Sequence, residues 1–163
     1  MTFAMHPLAS SAQATTAAES RFRIDYPLVP ARSPRVVGLD AAAGRMVARV
    51  AALPWETASF YTIGEDDLRS AVTLHGIGGG EVPLEDAIID IDAMILVATA
   101  DTGTDAARRI AEACAARAIM VAGIVIGEGE VRETVAHLRP FARILLVSYE
   151  EHDIDAILLA IRA

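Results

Sequence analysis

The chain has 163 residues, enough for one domain with a sizeable core and a short tail. Its formal net charge of −8 argues against a nucleic-acid or anionic-membrane surface. Lys and Asn are absent, which excludes a P-loop lysine, a Schiff-base lysine and any asparagine-dependent contact. The single cysteine, Cys114, excludes an internal disulfide and favours core packing in a cytoplasmic protein.

The first 34 residues are predicted to lie outside the globular domain. Met1 to about Ser20 lacks the early positive cluster and apolar core of a secretory signal, so we expect a mobile tail. Arg21–Pro34 is expected to form an extended arm, whose alternating apolar residues suit an edge strand on the body or on a partner. No apolar run reaches the roughly 20 residues that cross a bilayer, so no membrane contact is expected.

From Arg35 onward, predicted strands and helices alternate. The predicted strands are Arg35–Asp40, Thr57–Ile63, Ala71–His75, Ala93–Ala98, Ala118–Ile126 and Arg143–Ser148. The predicted helices are Ala43–Leu53, Pro83–Asp90, Thr104–Arg117, Glu130–Leu138 and Asp153–Arg162. A short acidic segment, Glu65–Ser70, precedes the third strand. This order predicts an α/β fold with a three-layer, Rossmann-like, doubly wound and mostly parallel sheet of about six strands.

In such a sheet, ligands bind beyond the carboxyl ends of the strands, where the strand order reverses. We expect that edge to gather Asp40, the Gly76–Gly80 turn, the Asp101–Asp105 loop and Gly127–Gly129. The last of these we interpret as a simple connection between a strand and a helix.

The first loop contains the candidate ligand residues Gly38 and Asp40. It lies where a Rossmann fold carries Gly-x-Gly-x-x-Gly, but only the outer glycines, Gly38 and Gly44, are present. Asp40 therefore stands where the backbone would approach a phosphate. Two interpretations remain: a site for a hydroxyl, a metal-bound group or a cation, or an N-cap for the following helix.

The second loop is the densest glycine segment of the chain. Its candidate ligand residues are Gly76, Gly78, Gly79 and Gly80. Glycine permits positive φ and close backbone approach, which serve either a ligand or a chain reversal. The neighbouring His75 is either a catalytic candidate or an incidental histidine.

The third loop joins the buried strand Ala93–Ala98 to an Ala-rich helix. Its candidate ligand residues are Thr99, Asp101, Thr102, Gly103, Thr104 and Asp105. The hydroxyl and N–H groups suit an anion at a helix N-terminus. The acids repel it, since like charges about 4 Å apart cost several kcal/mol in a partly desolvated site. A triphosphate there needs a divalent cation or protonated carboxylates. Alternatively, Asp101 or Thr102 caps the helix and the other acid complements its dipole.

Chain order and loop chemistry resemble the GTP-binding half of the bacterial division tubulin FtsZ, over about Arg35 to Ile161. The segment Gly76-Ile77-Gly78-Gly79-Gly80-Glu81-Val82-Pro83 resembles the family loop Gly-Leu-Gly-Ala-Gly-x-x-Pro. Asp92–Ala100 resembles the strand before the signature Gly-Gly-Gly-Thr-Gly-Thr-Gly, and Thr102–Thr104 matches the centre of that signature. The resemblance implies a tubulin-type nucleotide-binding domain for GTP or GDP with Mg²⁺.

The chain also departs from the family pattern. Asp105 replaces the final signature glycine, Asp40 and alanines replace the central glycines of the first loop, and the family's Asn-containing motifs have no counterpart. We expect the second domain, whose acidic loop completes GTP hydrolysis on a neighbouring subunit, to be absent. The leading hypothesis is therefore a degenerate FtsZ-like domain without GTP hydrolysis, which acts as a binding or assembly module.

This hypothesis carries an expectation about association, and two other hypotheses compete with it. The assembly module is expected to form a homo-oligomer or to bind a protein partner. The second hypothesis is a small-ligand or nucleotide-binding protein that holds Mg²⁺ on Asp40, Asp101 or Asp105. The third is a small hydrolase or transferase that uses His75 with a nearby Asp.

Overall fold

The computed structural model describes residues 33–64, 71–127, 129, 131–150, 152–161 and 163. Ala31–Ala163 forms one compact unit. The predicted tail, the predicted arm up to residue 32 and the acidic segment 65–70 lie outside the described residues. Within the described part of the chain, no helix is long and apolar enough to cross a membrane.

The described residues form seven strands and five α-helices. The strands are β1 (Pro34–Gly38), β2 (Ser59–Ile63), β3 (Thr73–Gly76), β4 (Glu81–Pro83), β5 (Ala93–Ala98), β6 (Met120–Ile126) and β7 (Ala142–Ser148). The helices are α1 (Ala41–Ala51), α2 (Leu84–Ala87), α3 (Thr104–Ala116), α4 (Arg132–Leu138) and α5 (Asp153–Ala160). A 3₁₀ turn, Asp101–Gly103, leads directly into α3.

All seven strands belong to one mixed sheet, in the order β4-β3-β2-β1-β5-β6-β7. β1 pairs in parallel with β2 on one side and with β5 on the other, and β6 and β7 continue the parallel arrangement. β3 and β4 form an antiparallel hairpin, and β3 is antiparallel to β2. The α/β class is therefore confirmed, with a hairpin at one side of the sheet.

The core lies on both faces of the central strands. β5 is buried at every position, and its successive side chains point to opposite faces. Met94 and Leu96 pack in a cluster that includes residues of α2, α3 and α4, whereas Ile95 and Val97 pack with residues of α1 and α5. Cys114 belongs to the first cluster, as predicted, and its burial raises the pKa of the thiol to about 12 despite the opposing charge of Arg117.

The structure changes two of the predicted elements. The segment Glu81–Pro83 forms strand β4, where the sequence favoured a turn followed by a helix. The helix predicted over Pro83–Asp90 is a single turn, Leu84–Ala87, and the chain then leaves the helix through Asp90 at φ 54°. The sheet has seven described strands instead of about six because the glycine segment reverses the chain within the sheet.

Candidate functional site

The carboxyl ends of β1 and β5 meet at the point where the strand order reverses. β1 is hydrogen-bonded to β2 on one side and to β5 on the other; the chain passes from β1 to β2 in one direction across the sheet and from β5 to β6 in the opposite direction. Such a point is the usual ligand position in open α/β sheets. Here it holds Asp40 from β1 and the segment Thr99–Asp101 from β5.

Asp40 accepts four hydrogen bonds at this point. Its Oδ1 accepts from the backbone N–H of Ala43 at 2.8 Å and from the hydroxyl of Thr99 at 2.6 Å. Its Oδ2 accepts from the backbone N–H groups of Thr99 at 2.6 Å and Ala100 at 3.2 Å. The bond from Ala43 makes Asp40 the N-cap of α1, which confirms the capping interpretation.

The three bonds to Thr99 and Ala100 show that the carboxylate does more than cap a helix. Backbone N–H groups after a buried strand are the donors that bind anions in phosphate loops. In this chain the donors after β5 bind the side chain of Asp40, which joins the β1 and β5 ends of the sheet. A phosphate at this position would have to displace a carboxylate, so the residues do not fit a bare triphosphate.

Asp101 forms a second connection at the same edge. Its two oxygens accept from the backbone N–H groups of Thr134 at 2.8 Å and Glu133 at 3.2 Å, at the N-terminus of α4. Desolvation raises the pKa of Asp101, but hydrogen bonds from Thr134, Glu133 and Arg132 outweigh it and hold the pKa below its ordinary value. In one interpretation of the sequence, Asp101 or Thr102 caps the helix that follows; in the structure that helix has no side-chain cap, and Asp101 binds the start of the next helix.

Thr104 completes this connection inside the protein. Its hydroxyl donates to the carbonyl oxygen of Asp101 at 2.8 Å and lies 2.8 Å from the hydroxyl of Thr134. Thr134 is fully buried and Thr104 is nearly so. The hydroxyl that was a candidate ligand group therefore belongs to a buried network, whereas Asp105 is exposed.

Three glycines of this edge are close-packing positions. A Cβ on Gly38 would lie 2.7 Å from the backbone of Gly44, and a Cβ on Gly103 would lie 2.1 Å from the carbonyl oxygen of Leu39. A Cβ on Gly129 would lie 2.4 Å from the carbonyl oxygen of Thr99. These glycines let one backbone approach another, and no ligand is needed to explain them.

An open cleft of about 690 Å³ lies beside Asp40, between α1 and β2. Its lining includes the polar residues Arg45, Thr62 and Thr102 and the apolar residues Leu39 and Ile63. Of the candidate residues of the third loop, Thr102 lies on this cleft. Sequence reasoning missed Arg45 and Thr62, because both occur within regular elements and carry no motif.

The glycine segment lies elsewhere in the fold. β3 runs antiparallel to β2, with Thr62 opposite His75 and Tyr61 opposite Gly76, and the N–H of Ile77 donates to the carbonyl oxygen of Phe60. The turn therefore extends past the amino-terminal part of β2, away from the carboxyl edge. The expectation that Gly76–Gly80 shares an edge with Asp40 is wrong.

Within this turn, the glycines have conformational roles. Gly79 and Gly80 have φ angles of 98° and 89°, and the N–H of Gly76 donates to the carbonyl oxygen of Gly80 at 2.9 Å. These contacts close the β3–β4 hairpin. The Nδ1 of His75 lies 3.3 Å from Glu81 Oε1 across the same hairpin, where β3 and β4 pair.

The candidate metal ligands are not gathered into one group. Among the described residues, no set of three or more His, Cys, Asp or Glu side chains is arranged to hold a metal ion. Asp40 and Asp101 each bind backbone N–H groups in different directions, toward β5 and toward α4. Their oxygens therefore already accept hydrogen bonds from N–H groups, whereas a cation site needs oxygens that are free to coordinate the ion.

No protein-family model matches the chain. No curated protein matches it either. Among solved structures, the chain is similar to proximal thread matrix protein 1 from the mussel byssus, with 10% identity and a TM-score of 0.44. A second structure of that protein, with a zinc-occupied MIDAS motif, has 8% identity and a TM-score of 0.42. In both cases the match covers 78% of this chain and 43% of the mussel protein.

Proposed function

We propose that this chain is a non-hydrolysing binding or assembly module that associates with copies of itself. The observation that carries the proposal is the carboxylate of Asp40, which binds the N–H groups of Thr99 and Ala100 at 2.6 and 3.2 Å. A nucleotide-binding edge presents such donors to phosphate, whereas this chain uses them to hold its own strands together. In this proposal the carboxyl edge stabilises the fold, and the chain associates through another surface.

Kinship with the FtsZ/tubulin nucleotide-binding domain belongs to the same proposal. It is supported by the parallel strands β1, β5, β6 and β7 and by Thr102–Thr104 at the start of α3. We also propose a Rossmann-like, doubly wound arrangement with three layers, because core clusters lie on both faces of the sheet. The hairpin position of Gly76–Gly80 gives the kinship no support.

Isothermal titration with GTP, GDP and ATP, each with and without Mg²⁺, tests the loss of nucleotide binding. We expect no heat of binding up to millimolar nucleotide, because displacement of Asp40 breaks four hydrogen bonds. Micromolar binding of any of the three would contradict the proposal. Light scattering of the same sample over a range of protein concentrations tests the association.

A second candidate function is the binding of a small ligand in the cleft beside Asp40. It is favoured by the position of the cleft at the carboxyl edge and by three polar side chains on its wall, Arg45, Thr62 and Thr102. Amide chemical shifts during titration with inorganic phosphate, and separately with GDP and Mg²⁺, test it. Binding that Arg45→Ala removes and the exposed control Arg139→Ala retains would favour this candidate over the first.

A further inference from the structure

Strand β7 is the last strand on its side of the sheet and has an unusually apolar edge. It pairs with β6, and no other described strand lies on its outer side. Ile144 and Val147 are 41% and 56% exposed, and Tyr149, immediately after the strand, is 73% exposed. A long apolar edge strand is a template for pairing with another strand, and soluble proteins usually blunt such edges with charge, proline or short length.

The opposite edge of the sheet is blunted in this way. β4 has three residues, Glu81 and Pro83 are exposed, and Pro83 lacks the N–H that a ladder needs. A contact of β7 with β4 of another copy would also leave free edges and build an open chain of subunits. The two edges therefore differ, and β7 is the one suited to pairing.

We propose that β7 is the interface between two copies of this chain, which pair as antiparallel strands about a two-fold axis. This inference rests on the proposed self-association and names its surface. A two-fold axis perpendicular to the sheet places side chains of the same face opposite each other. With the axis at Leu146, Leu145 of one copy faces Val147 of the other within the regular part of β7.

The charges on β7 favour this antiparallel pairing. Arg143 lies near the start of the strand and Glu150 lies just after its end. Antiparallel pairing brings the positive end of one strand to the negative end of the other and separates the two Arg143 side chains by about 20 Å. Parallel pairing would place the two guanidinium groups side by side.

The first test compares two lysine substitutions at apolar residues of nearly equal exposure. Val147→Lys changes the proposed interface, and Ile89→Lys changes a residue that is 55% exposed, just after α2. Light scattering and sedimentation of the full chain should show a wild-type dimer, a dissociation constant raised at least about tenfold by Val147→Lys, and no change with Ile89→Lys. Circular dichroism confirms that both variants are folded.

The second test fixes the register without a charge change. Leu146→Cys places a thiol at the two-fold axis, whereas the native Cys114 is buried. Mild oxidation of the full chain should give a covalent dimer, and Ile89→Cys should give none. A dimer that Val147→Lys leaves intact, or that Leu146→Cys does not cross-link, would overturn the β7 interface while the self-association stands. A wild-type chain that remains monomeric at about millimolar concentration would overturn both.

Discussion

The side chain of Asp40 accepts from four donors, so its role requires that both oxygens be acceptors. Asp40→Asn preserves the shape of the side chain but replaces one acceptor with an NH₂ group. That group would face the N–H groups of Thr99 and Ala100 or the N–H of Ala43. We expect a loss of about 2 kcal/mol or more in the free energy of unfolding, measured by urea denaturation.

The matched control for this prediction is Asp86→Asn. Asp86 is exposed in the first turn of α2, where a lost charge affects only the helix dipole. We expect that variant to lie within about 0.5 kcal/mol of the wild type. If Asp40→Asn were as mild as Asp86→Asn, the carboxylate would not be holding the β1 and β5 ends together.

Asp101 should contribute to stability in a pH-dependent way. Its pKa in the folded protein is lowered, so its contribution is present above the unfolded pKa and is lost as the pH falls through the folded value. The loss thus begins near the ordinary range of about pH 4 and continues below it. We expect Asp101→Asn to destabilise the protein at about pH 6 and to converge with the wild type in strong acid, as measured by urea denaturation across this range.

Asp105→Asn is the control for this experiment, because Asp105 is exposed on the same loop. Its stability difference from the wild type should be small across the same pH range. A gap between wild type and Asp101→Asn that stayed constant down to the lowest pH would contradict the assignment of Asp101 as an ionised acceptor for α4.

At the scale of elements, the sequence predicted best where one pattern had one explanation. The buried run Ala93–Ala98 forms β5 with the predicted bounds, and α3 begins at Thr104 as predicted. The glycine segment was different, because a hairpin turn and a ligand loop both use positive φ at glycine. The following Pro83 is typical of the first position of a helix, so the sequence predicted a helix there and not strand β4.

The candidate site shows a similar limit. The local bond from Ala43 to Asp40, three residues apart, is a capping pattern that the sequence predicts. The bonds from Thr99 and Ala100 span 59 and 60 residues and depend on the pairing of β1 with β5. Likewise, nothing near Asp101 in the sequence indicates Thr134. The residue types at this edge could be predicted from the sequence. Their hydrogen-bond partners could not, because those depend on which strands and helices lie next to each other in the fold.

The hairpin gives a prediction about glycine conformation. Gly79 has φ 98°, a conformation that L-residues disfavour, whereas the neighbouring Gly78 does not have a positive φ. An added Cβ would meet open space at either position, so the two glycines differ in backbone conformation and not in packing. We expect Gly79→Ala to lower the free energy of unfolding by about 1–2 kcal/mol and Gly78→Ala to have little effect, measured by thermal denaturation.

Because the turn lies away from Asp40, Gly79→Ala should leave the amide signals of Thr99 and Ala100 in place. Equal effects of the two alanine substitutions would argue against a conformational role. Movement of the Thr99 and Ala100 signals in Gly79→Ala would show that the glycine turn is coupled to the carboxyl edge after all.

Across the whole molecule, two edges of the sheet differ. Polar side chains satisfy the backbone donors at the carboxyl edge, whereas apolar side chains are exposed along β7. At the carboxyl edge, Asp40 and Asp101 satisfy backbone donors of β5 and α4, so these donors are already engaged before any ligand arrives. At the side of the sheet, β7 exposes Ile144 and Val147. The proposed surface for association is therefore separate from the position where open α/β sheets usually bind a ligand.

The proposed β7 dimer predicts that stability depends on protein concentration. Dimer formation stabilises the folded state by mass action, so a hundredfold rise in concentration adds about 2.7 kcal/mol to the dimer, or about half of that per chain. For a chain of this size, Tm should then rise by about 3–5 °C. Scanning calorimetry from micromolar to submillimolar protein measures the shift, and Val147→Lys should remove it. A Tm that is independent of concentration in the wild type would mean that the folded chain is stable without a partner copy.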